Sequence, residues 1–460
     1  MARQISAEKQ QMFLNEDVRT LLPRMAVPTI VAQLITTIYN IVDTYFVSTI
    51  GTNATAAVGV NSSLERTITL VGSLIGAGAC SYIARLLGSK KKTLADQVLS
   101  TSFLTGFGIG IVLMILGQLL ISPLVDLLGA TAECKVYSMQ YASYVLYAAP
   151  FMIGSFILNM CLRSEGSATF AMIGIGVGGI LNCFLDPLFI YGLDLGVMGA
   201  SMATAISKFV SFCILLWPYI RKKSSVEISL KKFLYRAEDV KAVLSIGSTS
   251  FFRSAMTVVA NVVLNNVAGA FSTAALAAIS VANRIMEFPF AIILGFGQGY
   301  QPIVGFNWGA DRMDRVRASY RFALIVTLIG SLVMSAILIP SASTLVHVFN
   351  RQADPDVLSL GTLCIILQSI VLFSHGVNST INMFFAGIGK AKQALLMSTA
   401  RQGYVFIPVI VVISLLKWSE GVVWAQAIAD FLCIFISVPL GLYAFRLISQ
   451  REAELTAKEA

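Results

Sequence analysis

Hydrophobic residues follow one another in stretches of about 20 or more along nearly the whole chain, and short polar segments separate them. Since about 20 apolar residues in a helix cross a bilayer, each stretch predicts a membrane-spanning helix. We predict twelve spans, at residues 20–47, 55–85, 95–120, 137–162, 169–191, 198–220, 240–268, 275–306, 316–342, 357–386, 396–416 and 421–446. The predicted fold class is therefore an all-α membrane protein.

Composition supports a lipid environment and gives little support to enzyme chemistry. Of the 460 residues, 56% are hydrophobic and only 12% are charged, and the mean hydropathy is +0.78. That is too little charge to cover a water-exposed surface. The seven cysteines form no CxxC pair, and the two histidines, His347 and His375, lie far apart in sequence. We expect no catalytic site and no cofactor.

The net charge of +9 could indicate nucleic acid, but the positions of the basic residues indicate a membrane instead. Sixteen Lys and Arg residues lie in one alternating set of connections, the set on the side of both termini. The opposite set has three, Lys135, Arg351 and Lys417. Because basic loops stay in the cytoplasm, we predict cytoplasmic termini in a bacterial inner-membrane protein whose partner is the lipid bilayer.

The long basic connector divides the chain into two similar halves. Gly76, Gly78 and Asn40 of the first half recur at one constant offset in the second, as Gly297, Gly299 and Asn261. Six spans per half place the pseudo-twofold axis along the membrane normal, which favours a cleft between two lobes. The predicted domains are a cytoplasmic segment 1–19, an N-lobe 20–220, a basic linker 221–239, a C-lobe 240–446 and a cytoplasmic tail 447–460.

Acidic residues inside the spans are candidates for function because burying a charge in a bilayer is costly. Asp43 in span 1, Asp186 in span 5 and Thr204 in span 6 lie at depths that agree within one helical turn. Asn182 precedes Asp186 by four residues, on the same helix face. These oxygens suit Na⁺, and they suit a proton equally well. The alternative places Asp186 in an outer loop before Pro187, with Asp43 near the headgroups.

Other intramembrane charges receive simpler interpretations. Arg284 with Glu287, and Glu65 with Arg66, are spaced to neutralise each other. Arg253 has no obvious partner in sequence and is predicted to face an aqueous cleft. In span 1, Pro28 removes a backbone hydrogen bond and predicts a kink on the helix of Asp43.

Several of these segments together resemble one transporter family. Residues 182–204, with Asn182, Asp186 and the glycine-containing run 196–200, resemble the span 5–6 signature of multidrug and toxic compound extrusion (MATE) transporters. Residues 162–166, residues 42–44 and Gln301-Pro302 resemble further parts of that family's pattern. The likeness covers essentially the whole chain and is nearest to the DNA-damage-inducible-type branch.

The resemblance implies a monomeric secondary antiporter with a V-shaped cleft that exports amphipathic, often cationic, drug-like molecules in exchange for Na⁺ or H⁺. It implies an N-lobe ion site of Asp43, Asn182, Asp186 and Thr204, with the backbone carbonyl of Ala200. It further implies a hinge at Pro28 and substrate contacts at Tyr39 and Asn159, to which our own interpretation adds Arg253. A second branch of the family places acids in spans 7 and 10. Here span 7 has Arg253-Ser254 and span 10 has no acid. The sequence therefore does not decide whether the C-lobe holds an ion site.

One alternative within transport remains. A flippase for lipid-linked saccharides would need a cationic cleft for pyrophosphate, and Arg253, Arg284 and Arg401 are compatible with one. An intramembrane enzyme or a channel has little support, since the chain shows neither a nucleophile–base set nor a symmetric ring of charges.

Overall fold

A computed structural model describes residues 2–349, 354–418 and 420–459. Within these ranges all regular structure is helical. The α-helices are α1 Ala2–Asn15, α2 Val18–Ser48, α3 Thr52–Gly88, α4 Lys92–Leu119, α5 Ile121–Leu127, α6 Lys135–Ser164, α7 Ala168–Pro187, α8 Gly196–Ile220, α9 Ala237–Phe271, α10 Thr273–Gly309, α11 Met313–Phe349, α12 Pro355–Ile370, α13 Leu372–Ile388, α14 Ala391–Ala400, α15 Phe406–Leu415, α16 Gly421–Leu432 and α17 Ile434–Glu459. A π-helical turn, Leu188–Gly192, extends α7, and a 3₁₀ turn, Leu230–Lys232, lies in the linker.

The predicted spans correspond to these helices, with two differences. Ten helices of the described chain are long and apolar enough to cross a membrane, and α12 with α13 forms one further span bent by 48°. The predicted span 396–416 is divided into α14 and α15 by a turn over residues 401–405. Arg401 is the first residue of that turn and forms a salt bridge with Asp430. A buried ion pair therefore lies at the turn, where the apolar pattern predicted a continuous helix.

The helices form two lobes, an N-lobe of α2–α8 and a C-lobe of α9–α17. The lobes meet along α2 with α10 and along α3 with α9. We call the side with α1, the linker and the end of α17 the terminal side, and the opposite side the far side. The predicted fold class is confirmed, with two pseudo-symmetric lobes around a V-shaped cleft. Arg351, one of the three basic residues predicted on the far side, lies outside the described residues.

Close backbone contacts between the lobes lie in the halves of these helices nearer the terminal side. A Cβ added at Gly78 of α3 would lie 1.9 Å from the carbonyl oxygen of Val243 in α9. At the equivalent position of the second repeat, a Cβ at Gly299 of α10 would lie 2.6 Å from Cα of Ala26 in α2. The repeated glycines therefore allow two pseudo-symmetric seams in which helix backbones touch.

The far halves of the same helices are apart. Arg66 and Thr67 of α3 are exposed, as are Arg284 and Glu287 of α10. Since charged side chains at this depth do not face lipid hydrocarbon, these residues line an aqueous cleft that is open on the far side.

Helix α1 spans the seam on the terminal side. Lys9 forms a salt bridge of 3.1 Å with Glu165 of the N-lobe. Phe13 stacks on Phe306 of the C-lobe, with ring centroids 4.7 Å apart. Because α1 contacts both lobes, it contributes to closing the cleft on this side.

Candidate functional site

The N-lobe brings together the four side chains predicted to form an ion site. Asn182 Nδ2 donates to Asp186 Oδ1 at 3.0 Å and lies 3.5 Å from Thr204 Oγ1. Asp186 is fully buried within α7, so it is a helix residue and not part of an outer loop. Ala200, also fully buried, lies one turn before Thr204 on α8.

Asp43 approaches this group from α2. A Cβ added at Gly179 of α7 would lie 3.1 Å from the Tyr39 ring, which shows how closely α2 and α7 pack. Asp43 follows Tyr39 by one helical turn and lies close enough to Asp186 for their charges to interact. In the described structure, Asp43 Oδ1 and Asp186 Oδ2 are buried without a hydrogen-bond partner. Two buried carboxylate oxygens are thus available to a proton or a cation.

The helix type changes at this site for a local reason. Pro187 has no backbone N–H, so it cannot donate the usual helical bond at the end of α7. The backbone continues as a π-helical turn in which the Leu193 N–H donates to the Leu188 carbonyl at 3.0 Å. Such turns often occur at functional sites, and this one follows Asp186 directly.

A second polar layer lies next to this site, and two of its residues, Lys208 and Tyr141, were not singled out from the sequence. Lys208 Nζ donates to Tyr39 Oη at 2.8 Å and lies 4.8 Å from the centre of the Tyr39 ring. Tyr141 donates to Glu65 Oε1 at 3.0 Å. This region of the N-lobe therefore holds three carboxylates, from Asp43, Glu65 and Asp186, and the ammonium of Lys208 lies within electrostatic range of Glu65 and Asp43.

This layer corrects the predicted pairing of adjacent charges. Glu65 turns inward to Tyr141 while Arg66 is exposed, so the two do not form an ion pair. Arg284 and Glu287 are both exposed and likewise form no ion pair within the described structure. Adjacent residues on a helix point about 100° apart, as Glu65 and Arg66 do, whereas Arg284 and Glu287 share a face without forming an ion pair. Sequence spacing did not reveal which groups face each residue.

The two predicted substrate contacts in the N-lobe have different surroundings. Tyr39 is half-buried, and its hydroxyl accepts the hydrogen bond from Lys208. Asn159 is buried in α6, where it donates to the Ala171 carbonyl at 2.9 Å and accepts a hydrogen bond from Arg163. The role of either residue in substrate contact stays a prediction.

The C-lobe places a salt bridge in the equivalent region. Arg401 Nε and Nη2 donate to the two carboxylate oxygens of Asp430 at 2.7 and 3.1 Å, and Gln426 donates to the same carboxylate at 2.9 Å. The Arg401 guanidinium lies 4.2 Å from the centre of the Phe290 ring. A cavity of about 40 Å³ beside it is lined by Asn261, Asn283 and Gln368, among others. The described residues around this cavity supply amides and a neutralised arginine, and none of them supplies a carboxylate.

Arg253 lies where the two lobes meet. It lines a cavity of about 30 Å³ with Ser73 and Met160 of the N-lobe and Gln298 and Asn382 of the C-lobe. No acid of the described chain lies within ion-pair distance of its guanidinium. The predicted position of Arg253, facing the space between the lobes, agrees with this placement.

Comparison with known proteins identifies the architecture. The MatE family model matches residues 28–188 and again residues 249–412. The chain belongs to the MatE family. The resemblance to this family found in the sequence is thereby confirmed, and the branch stays a prediction. The starts of the two matches are separated by the same offset that relates Gly78 to Gly299, so the double match reproduces the repeat.

Relatives of this MatE protein include named exporters. The chain is 27% identical over 409 residues to the multidrug export protein MepA of Staphylococcus saprophyticus, covering 89% of this chain and 90% of the relative. It is 26% identical over 432 residues to the protein of the same name from Staphylococcus aureus, covering 93% and 94%.

Solved structures share the fold of this MatE protein. An outward-facing multidrug resistance MATE transporter of the MOP superfamily aligns with a TM-score of 0.89 at 24% identity, covering 96% of this chain and 98% of that one. A MOP superfamily transporter from Pyrococcus furiosus with a binding pocket of reverse polarity aligns with a TM-score of 0.87 at 24% identity and the same coverage. At this identity the likeness shows the fold alone.

Proposed function

We propose that this MatE protein is a secondary active multidrug exporter that exchanges amphipathic, often cationic, small molecules for H⁺ or Na⁺ through its N-lobe carboxylates. The observation that supports this most is the pair of buried, unpartnered oxygens, Asp43 Oδ1 and Asp186 Oδ2. A bound proton or Na⁺ would satisfy them. The names of the staphylococcal relatives support export of drugs.

The proposed ion site comprises Asp43, Asn182, Asp186 and Thr204, with the backbone carbonyl of Ala200. Hard monovalent cations are bound by oxygen ligands of this kind, and a proton needs only one of the carboxylates. These oxygens fit either Na⁺ or a proton, because the cluster supplies both carboxylate and neutral oxygens.

Coupling requires that ion and drug favour different conformations. Asp43 lies on α2, and the buried Pro28 of the same helix lies beside Thr29, whose hydroxyl donates to the Gly295 carbonyl across the seam at 2.7 Å. We propose that Pro28 acts as a hinge through which ion binding at Asp43 changes how α2 packs on α10.

We further propose that the terminal side is cytoplasmic and that the protein resides in a bacterial inner membrane. The basic linker, which includes Lys231 and Lys232, supports this orientation. The far-side opening of the cleft would then face outward.

Transport in proteoliposomes with separately imposed gradients tests the proposal. We expect export of a cationic dye against its gradient when either an inward Na⁺ gradient or an inward proton gradient is applied. When neither gradient is applied, we expect no export. Asp186→Asn should abolish the gradient-driven part. Dye movement that ignores both gradients in the unchanged protein would exclude the antiport mechanism.

A flippase for lipid-linked saccharides is the second candidate. It is favoured by Arg253, which faces the space between the lobes and has no acidic partner among the described residues. A lipid-scrambling assay in the same vesicles distinguishes the two, because an exporter moves the dye and leaves the labelled lipid-linked saccharide in its original leaflet.

A further inference from the structure

Two arginines from different lobes lie on either side of one glutamine where the seams close. Arg163 of α6 donates from Nη1 to Gln298 Oε1 of α10 and from Nη2 to Asn159 Oδ1. Arg253 of α9 lines a cavity of about 30 Å³ together with the same Gln298. Arg253 thus lines the cavity directly, and Arg163 is linked to the cavity through its hydrogen bond to Gln298.

Neither arginine has a carboxylate partner within the described chain. The Nε donor of Arg163 is buried and has no hydrogen-bond partner within the described chain. The residue as a whole is only 5% exposed, so water does not readily replace that partner. The nearest acid in sequence, Glu165, is engaged elsewhere by Lys9 and Ser224. Leaving a buried cation uncompensated is expensive in a protein interior, which calls for an anion at this place.

Other polar groups of the cavity are also able to donate hydrogen bonds. Because Oε1 of Gln298 accepts from Arg163, its NH₂ group is left to face other partners. Gln301 and Asn382 line the same cavity, are each 6% exposed, and offer two further amide NH₂ groups. Phe156 and Met160 supply an apolar wall.

We propose that this interlobe cavity binds a small monovalent anion, either the carboxylate of a zwitterionic substrate or a free inorganic anion. The substrate form rests on the proposed export function. A volume of about 30 Å³ is that of two or three water-sized positions, which suits a carboxylate group or a halide and is too small for a pyrophosphate with its sugar. An amphipathic zwitterion would then place its carboxylate at Arg253 and its amine toward the acidic N-lobe.

The site joins both lobes. Phe156 and Met160 of the N-lobe line the cavity opposite Gln298 and Arg253 of the C-lobe, and Arg163 of the N-lobe donates to Gln298. An anion held between them favours the conformation in which the terminal side is closed. Opening of that side separates Arg163 from Gln298 and lowers anion affinity.

Anion binding is measured first on the purified full chain in detergent. At constant ionic strength, sodium acetate and sodium chloride should each raise the melting temperature by about 2 °C or more relative to sodium gluconate, because the polyhydroxylated chain of gluconate does not suit the apolar wall of Phe156 and Met160. Arg253→Met should lose this rise and Arg253→Lys should keep part of it. Arg321→Met removes an equivalent charge from an exposed position near Phe445, and it should behave as the unchanged protein.

Transport distinguishes the two sources of the anion. In proteoliposomes, an amphipathic compound with one amine and one carboxylate is compared with its methyl ester, which retains only the amine. If the substrate supplies the anion, Arg253→Met should slow export of the zwitterion about tenfold more than it slows export of the ester. If a free anion occupies the site, the melting temperature responds through Arg253 while both compounds are exported equally by the variant.

The outcomes separate this site from the export function. If the unchanged protein exports neither compound but the acetate effect depends on Arg253, export fails and the anion site stands. If both compounds are exported and no anion acts through Arg253, the anion site fails and export stands. A larger rise with pyrophosphate than with acetate would overturn the assignment to a small monovalent anion and favour the flippase.

Discussion

Asp43 and Asp186 in the N-lobe each keep one buried carboxylate oxygen without a hydrogen-bond partner in the described structure, whereas both oxygens of Asp430 in the C-lobe are occupied by Arg401 and Gln426. The two lobes share one helical plan, since the same family model matches each of them. The difference teaches that the repeat preserves the space between helices but not the charge inside it. In the C-lobe, the guanidinium of Arg401 neutralises the buried carboxylate, whereas no ion pair neutralises Asp43 or Asp186 within the described structure.

The apolar packing differs in the same way. The buried apolar residues of the N-lobe form one continuous cluster, which also includes the terminal side of the C-lobe. The rest of the C-lobe packs as three separate clusters, around Phe406, around Met286 and around Leu367. The Arg401–Asp430 pair and the amides beside it interrupt the apolar contacts, which coincides with the break between α14 and α15 and the bend between α12 and α13.

The largest expected effect concerns the unpartnered carboxylates. Asp43→Asn and Asp186→Asn should each abolish ion-driven export, because an amide is not protonated at neutral pH and supplies no charged oxygen to Na⁺. Folding should be nearly unchanged, since one oxygen of each group makes no hydrogen bond in the present structure. Dye efflux in proteoliposomes and the melting temperature measure both expectations. Full export by both variants would remove the N-lobe from the coupling mechanism.

Asp430→Asn in the C-lobe should have the opposite effects: it should lower stability and leave ion coupling intact. Removing this carboxylate leaves Arg401 uncompensated in a site where their side chains are 2% and 12% exposed, respectively, so we expect a loss of stability of about 3–5 kcal/mol. Protein that remains folded should still couple export to the ion gradient. The double variant Arg401→Gln with Asp430→Asn should recover part of the stability, as a double-mutant cycle in thermal denaturation would show.

Lys208→Met tests whether the second polar layer adjusts the ion site. Loss of the ammonium near Glu65 and Asp43 makes a bound cation more favourable there, so the ion concentration that half-saturates transport should fall about fivefold. Lys241→Met, an exposed lysine at the terminal side, is the matched control and should leave this value unchanged. Equal half-saturation in all three proteins would mean that Lys208 only packs against Tyr39.

Glu287→Gln should have the smallest effect. Glu287 is exposed to the cleft and forms no ion pair with Arg284 within the described structure, so its removal should change stability by less than about 0.5 kcal/mol. Coupling should also persist. A loss of ion-driven export in folded Glu287→Gln protein would place a coupling acid in the C-lobe and break the contrast between the lobes.

The sequence by itself determined the class of the fold, because the length and hydrophobicity of each span are local properties. The thickness of the bilayer and its lack of water then require each span to be a helix. The constant offset between the repeats also determined the two lobes, and the glycines that recur at this offset, Gly78 and Gly299, form the seams. Asp43, Asn182, Asp186 and Thr204 could be chosen as a cluster because helix rise converts position into depth.

Only the tertiary structure decided which way each charge points. Glu65 faces Tyr141 and not its neighbour Arg66, and Lys208 faces Tyr39 from a helix far away in sequence. Arg401 and Asp430 are 29 residues apart, and their contact depends on a break in the helix that the apolar pattern did not reveal. Depth along a helix follows from counting residues, but direction around the helix acquires meaning only when the neighbouring helices are in place.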